Sequence, residues 1–164
     1  MRVRIHALSR NDVTADQKIF LGQATKGAIL KSTTLAKEKA KLQAVINKWV
    51  RMSYADDNGM VHCYTCSSVR HYKELDAGHA VPGLKNHCRY DIRIIRPQCD
   101  TCNRRKSGNL SVFIPKLIKE IGMEAWEDAS RYRDVQYLTY QIQALLQEWR
   151  GKLKVLAKKK GFEL

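Results

Sequence analysis

Cys63-Tyr-Thr-Cys66 and Cys99-Asp-Thr-Cys102 are two short segments that together hold four of the five cysteines in this 164-residue chain. A gap of two residues lets both sulfurs of a pair face one ion, and zinc takes four thiolates in a tetrahedron. The N-terminus lacks the continuous apolar stretch of a secretory signal, so we expect a reducing, cytoplasmic location, where such pairs bind metal more often than they form disulfides. The four cysteines therefore predict a structural zinc site, whereas Cys88 is interpreted as a small buried hydrophobic residue.

The 32 residues between the two pairs are more than a plain zinc ribbon usually holds. They contain two candidate strands, at about 75–80 and 92–97, and the second pair opens a polar helical segment from Asp100 to about Lys106. A knuckle, a hairpin and a helix that carries the second pair are typical of a treble-clef zinc finger. We therefore predict an α+β fold in which zinc binding supplies much of the folding energy of this region.

An amphipathic helix is predicted before this region. It begins after Ser32, Thr33 or Thr34, any of which could cap it, and it runs to about Met52. Residues 1–31 show only weak periodicity. The predicted organisation is an N-terminal arm over 1–31, a helix and linker over 32–62, the zinc-finger core over 63–110 and a helical region over 111–164.

The helical region is predicted to hold one short helix over 112–121, ended by Gly122, and another over 124–130. From Asp134 onward apolar residues recur at helical spacing, at Val135, Leu138, Ile142, Leu145, Trp149 and Leu156. We expect this stripe to pack against the helix that ends near Met52, because amphipathic helices usually bury their apolar face within their own domain. The alternative is a homodimer formed through the 134–156 helix.

The charge of the chain indicates a polyanionic partner. There are 30 Lys and Arg residues against 16 Asp and Glu, a formal net charge of +14. Residues 63–110 carry nine basic and four acidic side chains, and most of the basic ones are arginine, which suits bidentate contact with phosphate. No apolar run approaches the roughly 18 residues that a membrane span needs. Nucleic acid is the simplest partner, and no membrane partner is expected.

The insert carries Asp76-Ala-Gly-His79, and Asn103 directly follows the second cysteine pair. Hydrolysis of a phosphodiester needs a base that activates water, a divalent cation that stabilises negative charge, and cationic groups that hold the strand. His79 is predicted to be the base, since neutral imidazole accepts a proton near pH 7. Asp76 and Asn103 offer hard oxygens that suit a catalytic Mg²⁺ or Mn²⁺. The predicted DNA-binding residues are Arg89, Arg96, Arg104, Arg105 and Lys106.

Each of these residues has a simpler structural interpretation. His79 could be a structural histidine, Asp76 could cap a turn, and Asn103 could hydrogen-bond within the finger. Three further histidines flank the region and could contact phosphate or replace one zinc thiolate: His62, His71 and His87.

Together the motifs resemble those of the phage NinG (Rap) recombination endonucleases, over about residues 33–155. The shared pattern is Cys63-x2-Cys66, Asp76-Ala-Gly-His79, Arg89-Tyr90 and Gln98-Cys99-x2-Cys102-Asn103-x2-Lys106-Ser-Gly-Asn109-Leu110. More distantly, the cysteines, His79 and Asn103 are similar to those of HNH (ββα-metal) nucleases. The resemblance implies an HNH-like core flanked by N- and C-terminal α-helices, a structural zinc and a separate catalytic divalent ion. It also implies a structure-specific endonuclease that acts on branched recombination intermediates such as Holliday junctions and D-loops.

Two positions depart from the HNH pattern. HNH sites often place the metal-binding acid directly before the base, whereas here Gly78 precedes His79 and Asp76 lies three residues back. On a regular strand Asp76 and His79 would face opposite sides, so a shared site requires a twist or bulge at Ala77-Gly78. Ile94 stands where a central Asn often orients the loop; Asn86 or Asp91 could take that role.

Two other function classes share part of these features. A non-catalytic zinc-finger protein that binds nucleic acid would show the same charge and cysteines without needing His79 together with Asn103. A structural protein that uses the finger as a protein–protein mount would bind DNA weakly and with little dependence on salt.

Overall fold

The computed structural model describes residues 34–83 and 86–164. The N-terminal arm predicted over 1–31 lies outside these residues. The described part is α+β, with four α-helices and two small antiparallel sheets. The helices are α1 (Leu35–Ser53), α2 (Leu110–Ile121), α3 (Met123–Ser130) and α4 (Thr139–Lys160), and the strands are β1 (Met60–His62), β2 (Val69–His71), β3 (Asp76–His79) and β4 (Ile95–Gln98).

The predicted first helix is confirmed as α1. Of the three candidate caps, Thr34 takes the position, and its hydroxyl accepts a hydrogen bond from the backbone N–H of Lys37 at 3.4 Å. The apolar face of α1 is fully buried at Leu42 and Ile46. Residues three or four apart share one side of a helix, so this face packs as a continuous stripe.

The cysteine-rich region folds around two hairpins. β1 pairs with β2, with His62 opposite Val69, and the first cysteine pair lies in the turn that joins them. The periodicity of the sequence does not predict this hairpin, because each strand has only three residues. β3 pairs with β4, with Asp76 opposite Gln98 and His79 opposite Ile95. This confirms the hairpin that is predicted between the two cysteine pairs.

Two element boundaries differ from the prediction. The strand predicted over 92–97 begins at Ile95, because Asp91 accepts a hydrogen bond from the backbone N–H of Arg93 at 3.0 Å and so caps a 3₁₀ turn over Ile92–Ile94. The helical segment predicted after Asp100 is a single π-helical turn, Thr101–Arg105.

The last helix begins later than the apolar stripe suggests. α4 starts at Thr139, and the side chain of Gln141 accepts a hydrogen bond from the Leu138 backbone N–H at 2.9 Å. Val135 therefore lies outside the helix, and Leu138 is exposed. The predicted 134–156 helix is corrected to Thr139–Lys160, and the stripe that remains starts at Ile142.

The buried face of α4 packs against α1. Trp149 meets Trp49 with ring centroids 5.4 Å apart at an interplanar angle of 75°, a favoured edge-to-face contact. This confirms the expectation that the stripe is buried inside the chain. The homodimer alternative stays a prediction, since Leu138 is exposed and Leu145 and Leu156 are half-buried.

Two groups of buried apolar side chains form the interior of the described residues. The first lies between α1, β4, α2 and α4 and includes Phe113, Ile95 and Ile142. The second contains Met52, Val61, Tyr72, Leu75 and the end of α4, and three of the paired cysteines are part of it. Three of the four paired cysteines therefore lie in the interior, whereas Cys66 is exposed. No helix in the part that the structure describes is both long enough and apolar enough to span a bilayer.

Candidate functional site

The four paired cysteines form a compact cluster. Their sulfur atoms all lie within 4.8 Å of one another, and the Cys66 and Cys99 sulfurs are 3.8 Å apart. Zinc–sulfur bonds of about 2.3 Å put the edge of an ideal tetrahedron at about 3.8 Å, whereas a disulfide bond is about 2.05 Å. All of these thiols are free. The cluster can hold a structural metal such as zinc, as the spacing predicts.

Backbone and side-chain donors surround the sulfurs. The backbone N–H of Cys99 donates to the Cys63 sulfur at 3.3 Å, and that of Cys102 to the Cys99 sulfur at 3.5 Å. Contact with the Ser68 hydroxyl, at 3.2 Å, lowers the pKa of Cys66 to about 6. Burial raises the pKa of Cys102 to about 12, so metal binding there requires release of a proton. Cys88 is separate from the cluster and buried in the first apolar group, as predicted.

A polar cluster adjoins the cysteines. The Asn103 carboxamide donates to Asp76 Oδ2 at 3.0 Å, and Arg104 donates from Nε to Oδ2 at 2.8 Å and from Nη2 to Oδ1 at 2.9 Å. These hydrogen bonds, Arg104 foremost, lower the pKa of the Asp76 carboxyl. Asp76 is therefore an ionised carboxylate that meets Asn103 directly, and Arg104 occupies both of its oxygens.

His79 lies in different surroundings. Its Nε2 is 3.2 Å from the carbonyl oxygen of Arg89 and 3.4 Å from Gln43 Nε2. Burial lowers the pKa of His79 and outweighs the two nearby carbonyls, of Arg89 and Ala77, which raise it. The imidazole is therefore neutral near pH 7.

The expected bulge at Ala77-Gly78 does not form. Between these two described strands the register is continuous, with Ala77 opposite Pro97 and Gly78 opposite Arg96. Because side chains alternate along a strand, Asp76 and His79 project to opposite faces of β3. The structure brings Asp76 and Asn103 together, while the contacts of His79 are to α1 and the 86–91 loop.

The predicted DNA-binding residues differ in accessibility. Arg104, Arg105 and Lys106 are exposed, although Arg104 is paired with Asp76 and Arg105 lies 3.6 Å from Asp100. Arg89 is half-buried and donates to Gln43 Oε1 at 3.2 Å.

Arg96 does not fit the DNA-binding role that the sequence predicts for it. Its side chain is 4% exposed and pairs with Glu120 at 2.8 Å, between the rings of Tyr54 and Tyr64. A buried and paired guanidinium does not reach a phosphate, so Arg96 leaves the predicted DNA-binding set. The sequence of β4 does not reveal this ion pair, because Glu120 lies on α2, 24 residues after Arg96.

Helix α1 contributes site residues that the sequence analysis missed. Gln43 is buried and bridges His79 and Arg89, and Arg51 donates to the Leu75 carbonyl at 2.5 Å. Gln43 directly follows Leu42 of the apolar stripe of α1. A glutamine at such a position is a signal that could have indicated a buried side chain with hydrogen-bond partners.

The remaining candidates have structural contacts. His71 accepts a hydrogen bond from the Lys73 backbone N–H at 3.3 Å, and His87 packs edge-on against Tyr132. Asn86 donates to the Val135 carbonyl at 3.1 Å, and Asp91 caps the 3₁₀ turn described above.

Comparisons with known proteins identify relatives. A family model described as Bacteriophage Lambda NinG protein matches residues 10–160. The chain is 32% identical over 120 residues to Protein ninG of Salmonella phage P22, which covers 70% of this chain and 55% of that protein. It is 29% identical over 137 residues to Protein ninG of Escherichia phage 933W, with 73% and 66% covered. The corresponding protein of Escherichia phage lambda is 32% identical over 120 residues, with 70% and 54% covered.

The chain thus spans between about half and two thirds of the length of these relatives. No solved structure matches the chain significantly.

Proposed function

The chain belongs to the NinG family of bacteriophage proteins, and from that premise we propose that it is a metal-dependent, HNH-like endonuclease. Its proposed substrates are phosphodiester bonds in branched DNA, such as Holliday junctions and D-loops. The observation that carries the proposal is the hydrogen bond from Asn103 to Asp76, at 3.0 Å. It joins a carboxamide on the second cysteine turn to a carboxylate on the hairpin, and the cysteine cluster supports both.

We propose that residues 63–110 form a treble-clef finger with an HNH-like core. Three features support this assignment: the β1–β2 knuckle that carries the first cysteine pair, the β3–β4 hairpin, and the helical turn Thr101–Arg105 that carries Cys102. The backbone N–H of Tyr64 donates to the Pro97 carbonyl at 2.8 Å and ties the knuckle to β4.

The donor chemistry of the polar cluster fits a magnesium or manganese ion. Asp76 is ionised, and Asn103 bonds through its amide nitrogen, which leaves its carbonyl oxygen as a second hard donor. Such an ion supplies stabilisation of the negative charge that develops on the phosphate and on the leaving oxygen. Arg104 holds both oxygens of Asp76, and Asn103 turns its NH2 group toward that carboxylate. Metal binding therefore requires the guanidinium to move aside and the carboxamide to turn its oxygen toward the ion.

His79 is the proposed base. Burial keeps its imidazole neutral. Its Nε2 either donates to the Arg89 carbonyl or accepts from the Gln43 amide, depending on the tautomer. It lies three residues from Asp76 on β3, about 10 Å along the strand and on its opposite face. The proposal therefore requires β3 to twist at Ala77-Gly78 when metal and DNA bind. Arg105 and Lys106, both exposed, are the proposed phosphate contacts beside Asn103.

One observation favours the second candidate, a non-catalytic zinc-finger protein that binds nucleic acid. Arg104 donates to both oxygens of Asp76, and His79 projects to the face of β3 opposite Asp76. In this second candidate the contacts of Asp76 stabilise the finger, and the cysteine cluster is the metal site that it requires.

Cleavage of a synthetic four-way junction separates the two candidates. With Mg²⁺ or Mn²⁺ added, we expect the wild-type protein to cut the junction and His79→Ala to lose about 100-fold or more in rate, the usual cost of losing a general base. Binding of the junction, measured by fluorescence anisotropy, stays unchanged. His62→Ala is the matched control, since His62 is an exposed histidine of β1. Native rates in His79→Ala would refute the mechanism, and tight binding without cleavage by the wild type would establish the second candidate.

The pH profile provides a further check. Because burial lowers the pKa of His79, the base is already neutral at and above the ordinary histidine value of about 6.5. The cleavage rate should therefore be level near neutrality and fall only on the acid side of that value. A rate that climbs steadily between pH 7 and 8 for the chemical step would contradict His79 as the base.

A further inference from the structure

An open groove of about 550 Å³ runs between α1 and α4. Three cationic side chains line it: Lys48 from α1, and Arg150 and Lys154 from α4. Gly151 forms part of its wall. Lys48 follows Gln43 by five residues, which places it about 140° around α1 from the side that faces His79. The groove is therefore a different surface from the site on β3.

The cations of the groove form no ion pair within the part of the chain that the structure describes, although Leu164, the last residue of the sequence, lines the same groove. None of the three forms an ion pair with a carboxylate among residues 34–83 and 86–164. On the other flank of α4, by contrast, Lys152 pairs with Glu148 at 2.6 Å. Favourable interaction of cations with a helix C-terminus is confined to its last turn. Lys154 and Arg150 lie six and ten residues before the end of α4, so that effect does not account for them.

Gly151 is the second, independent observation. It lies inside α4 with no left-handed backbone conformation, and a Cβ atom built on it meets nothing within 4 Å. Glycine inside a helix is less stable than alanine, so it usually has a packing or functional reason. Packing among the residues that the structure describes supplies none here. The missing side chain leaves room for another molecule to approach the helix backbone closely.

We propose that this groove binds the sugar–phosphate backbone of DNA, with Lys48, Arg150 and Lys154 contacting phosphates and Gly151 allowing close approach. Charge complementarity favours this occupant, because residues 150–160 carry six basic and no acidic side chains in a chain of net charge +14. The inference rests on the proposed function only in taking DNA as the ligand. It adds a second DNA contact, away from the β3 site, and it does not depend on cleavage.

Substitution of the glycine tests the proposal. Gly151→Ala should raise the melting temperature by about 2–4 °C, because alanine favours the helix and meets no neighbour. It should nevertheless weaken binding of a fluorescein-labelled duplex, and Gly151→Leu should weaken it further. Binding is measured by anisotropy without added divalent metal. A stabilised Gly151→Ala variant that binds DNA as tightly as wild type would overturn the role of the glycine.

Charge variants test the cations with a matched control. Lys48→Gln with Lys154→Gln should weaken binding by about fivefold for each residue at ~0.15 M salt and reduce the slope of log K against log salt by about 0.9 each. Lys159→Gln removes the same charge from α4 outside the groove, so its effect should be clearly smaller. Equal losses for Lys154→Gln and Lys159→Gln would show a diffuse charge effect and refute a defined site.

Two further outcomes are decisive. Binding to phosphatidylserine vesicles but not to DNA, lost in the same variants, would replace the proposed ligand with a membrane surface. Junction cleavage is measured separately on the wild-type protein. Absence of cleavage together with groove-dependent DNA binding would remove the proposed endonuclease function and leave this inference standing.

Discussion

At the scale of the residue, the surroundings of Gly78 explain why no acidic residue stands directly before His79. The side chain of Gln98, fully buried, crosses over Gly78 and donates to Thr65 Oγ1 and to the Gly108 carbonyl, both at 2.8 Å. A Cβ atom on Gly78 would lie 2.0 Å from Gln98 Oε1. An acidic residue directly before His79 is therefore sterically incompatible with this glutamine.

Gly78→Ala should lower the free energy of unfolding by about 1–3 kcal/mol, the usual cost of overpacking a core. The contact at 2.0 Å involves a side chain held at two points, so it has little freedom to move. The measurement is urea denaturation of the zinc-loaded protein. Gly151→Ala is the matched control, since a Cβ there meets none of the described residues within 4 Å. Equal stability of the two variants would contradict the predicted clash.

At the scale of the element, one network joins β4 to α2. Arg96 on β4 pairs with Glu120 on α2 at 2.8 Å, and the hydroxyl of Tyr64 donates to the same carboxylate at 2.7 Å. Lys116 donates to the Tyr64 carbonyl at 2.8 Å. Because the guanidinium is buried, its charge needs this partner. The network explains how a basic strand residue becomes part of the interior.

Glu120→Gln should cost about 1–2 kcal/mol, because it leaves the buried Arg96 without a countercharge, reduced by the partial exposure of the carboxylate. Burial alone raises the pKa of Glu120, but hydrogen bonds from Arg96 and Tyr64 outweigh it and the pKa is lowered. This stabilisation is therefore present above the ordinary glutamate value of about 4.3 and is lost as the pH falls through the lowered value.

Urea denaturation at pH 7 and at pH 4 measures this effect, with the zinc content of both variants checked at each pH because acid displaces zinc from thiolates. The difference between wild type and Glu120→Gln should shrink at the lower pH. Glu127→Gln removes an exposed carboxylate on α3 and provides the control. A stability difference that is the same at both pH values would show that the carboxylate charge is not what stabilises Arg96.

At the scale of the whole molecule, the cysteine cluster links the finger to the helices. Three of its cysteines pack in the second apolar group with Met52 at the end of α1 and with Leu153 and Ala157 on α4. Loss of metal would therefore disturb the helical part of the described chain as well as the hairpins. This arrangement predicts cooperative unfolding rather than a finger that melts alone.

We expect one zinc ion per chain by elemental analysis. Cys102→Ser should lose this zinc and several kcal/mol of stability, since metal binding contributes directly to folding. Cys88→Ala, which removes a buried cysteine outside the cluster, should keep the full zinc content. The far-ultraviolet circular dichroism of the Cys102→Ser variant should show loss of helix signal. Full zinc content in that variant would refute the four-cysteine site.

Local patterns were enough to determine the cysteine cluster, helix α1 and the β3–β4 hairpin. Metal-ligand spacing, helical periodicity and capping act over a few residues, so they can be recognised in the sequence without knowledge of the fold. The start of α4 was missed because apolar residues in an extended segment, such as Val135, happen to continue the helical spacing.

Only the tertiary structure decided which charged and polar groups meet. The pairing of Arg96 with Glu120, the contact of His79 with Gln43 and the groove lined by Lys48 and Lys154 each join elements far apart in the chain. The spacing of side chains along one strand or helix contains no information about these partners. For this protein, the sequence by itself determined the cysteine cluster, helix α1 and the β3–β4 hairpin, and packing determined the surroundings of each candidate site residue.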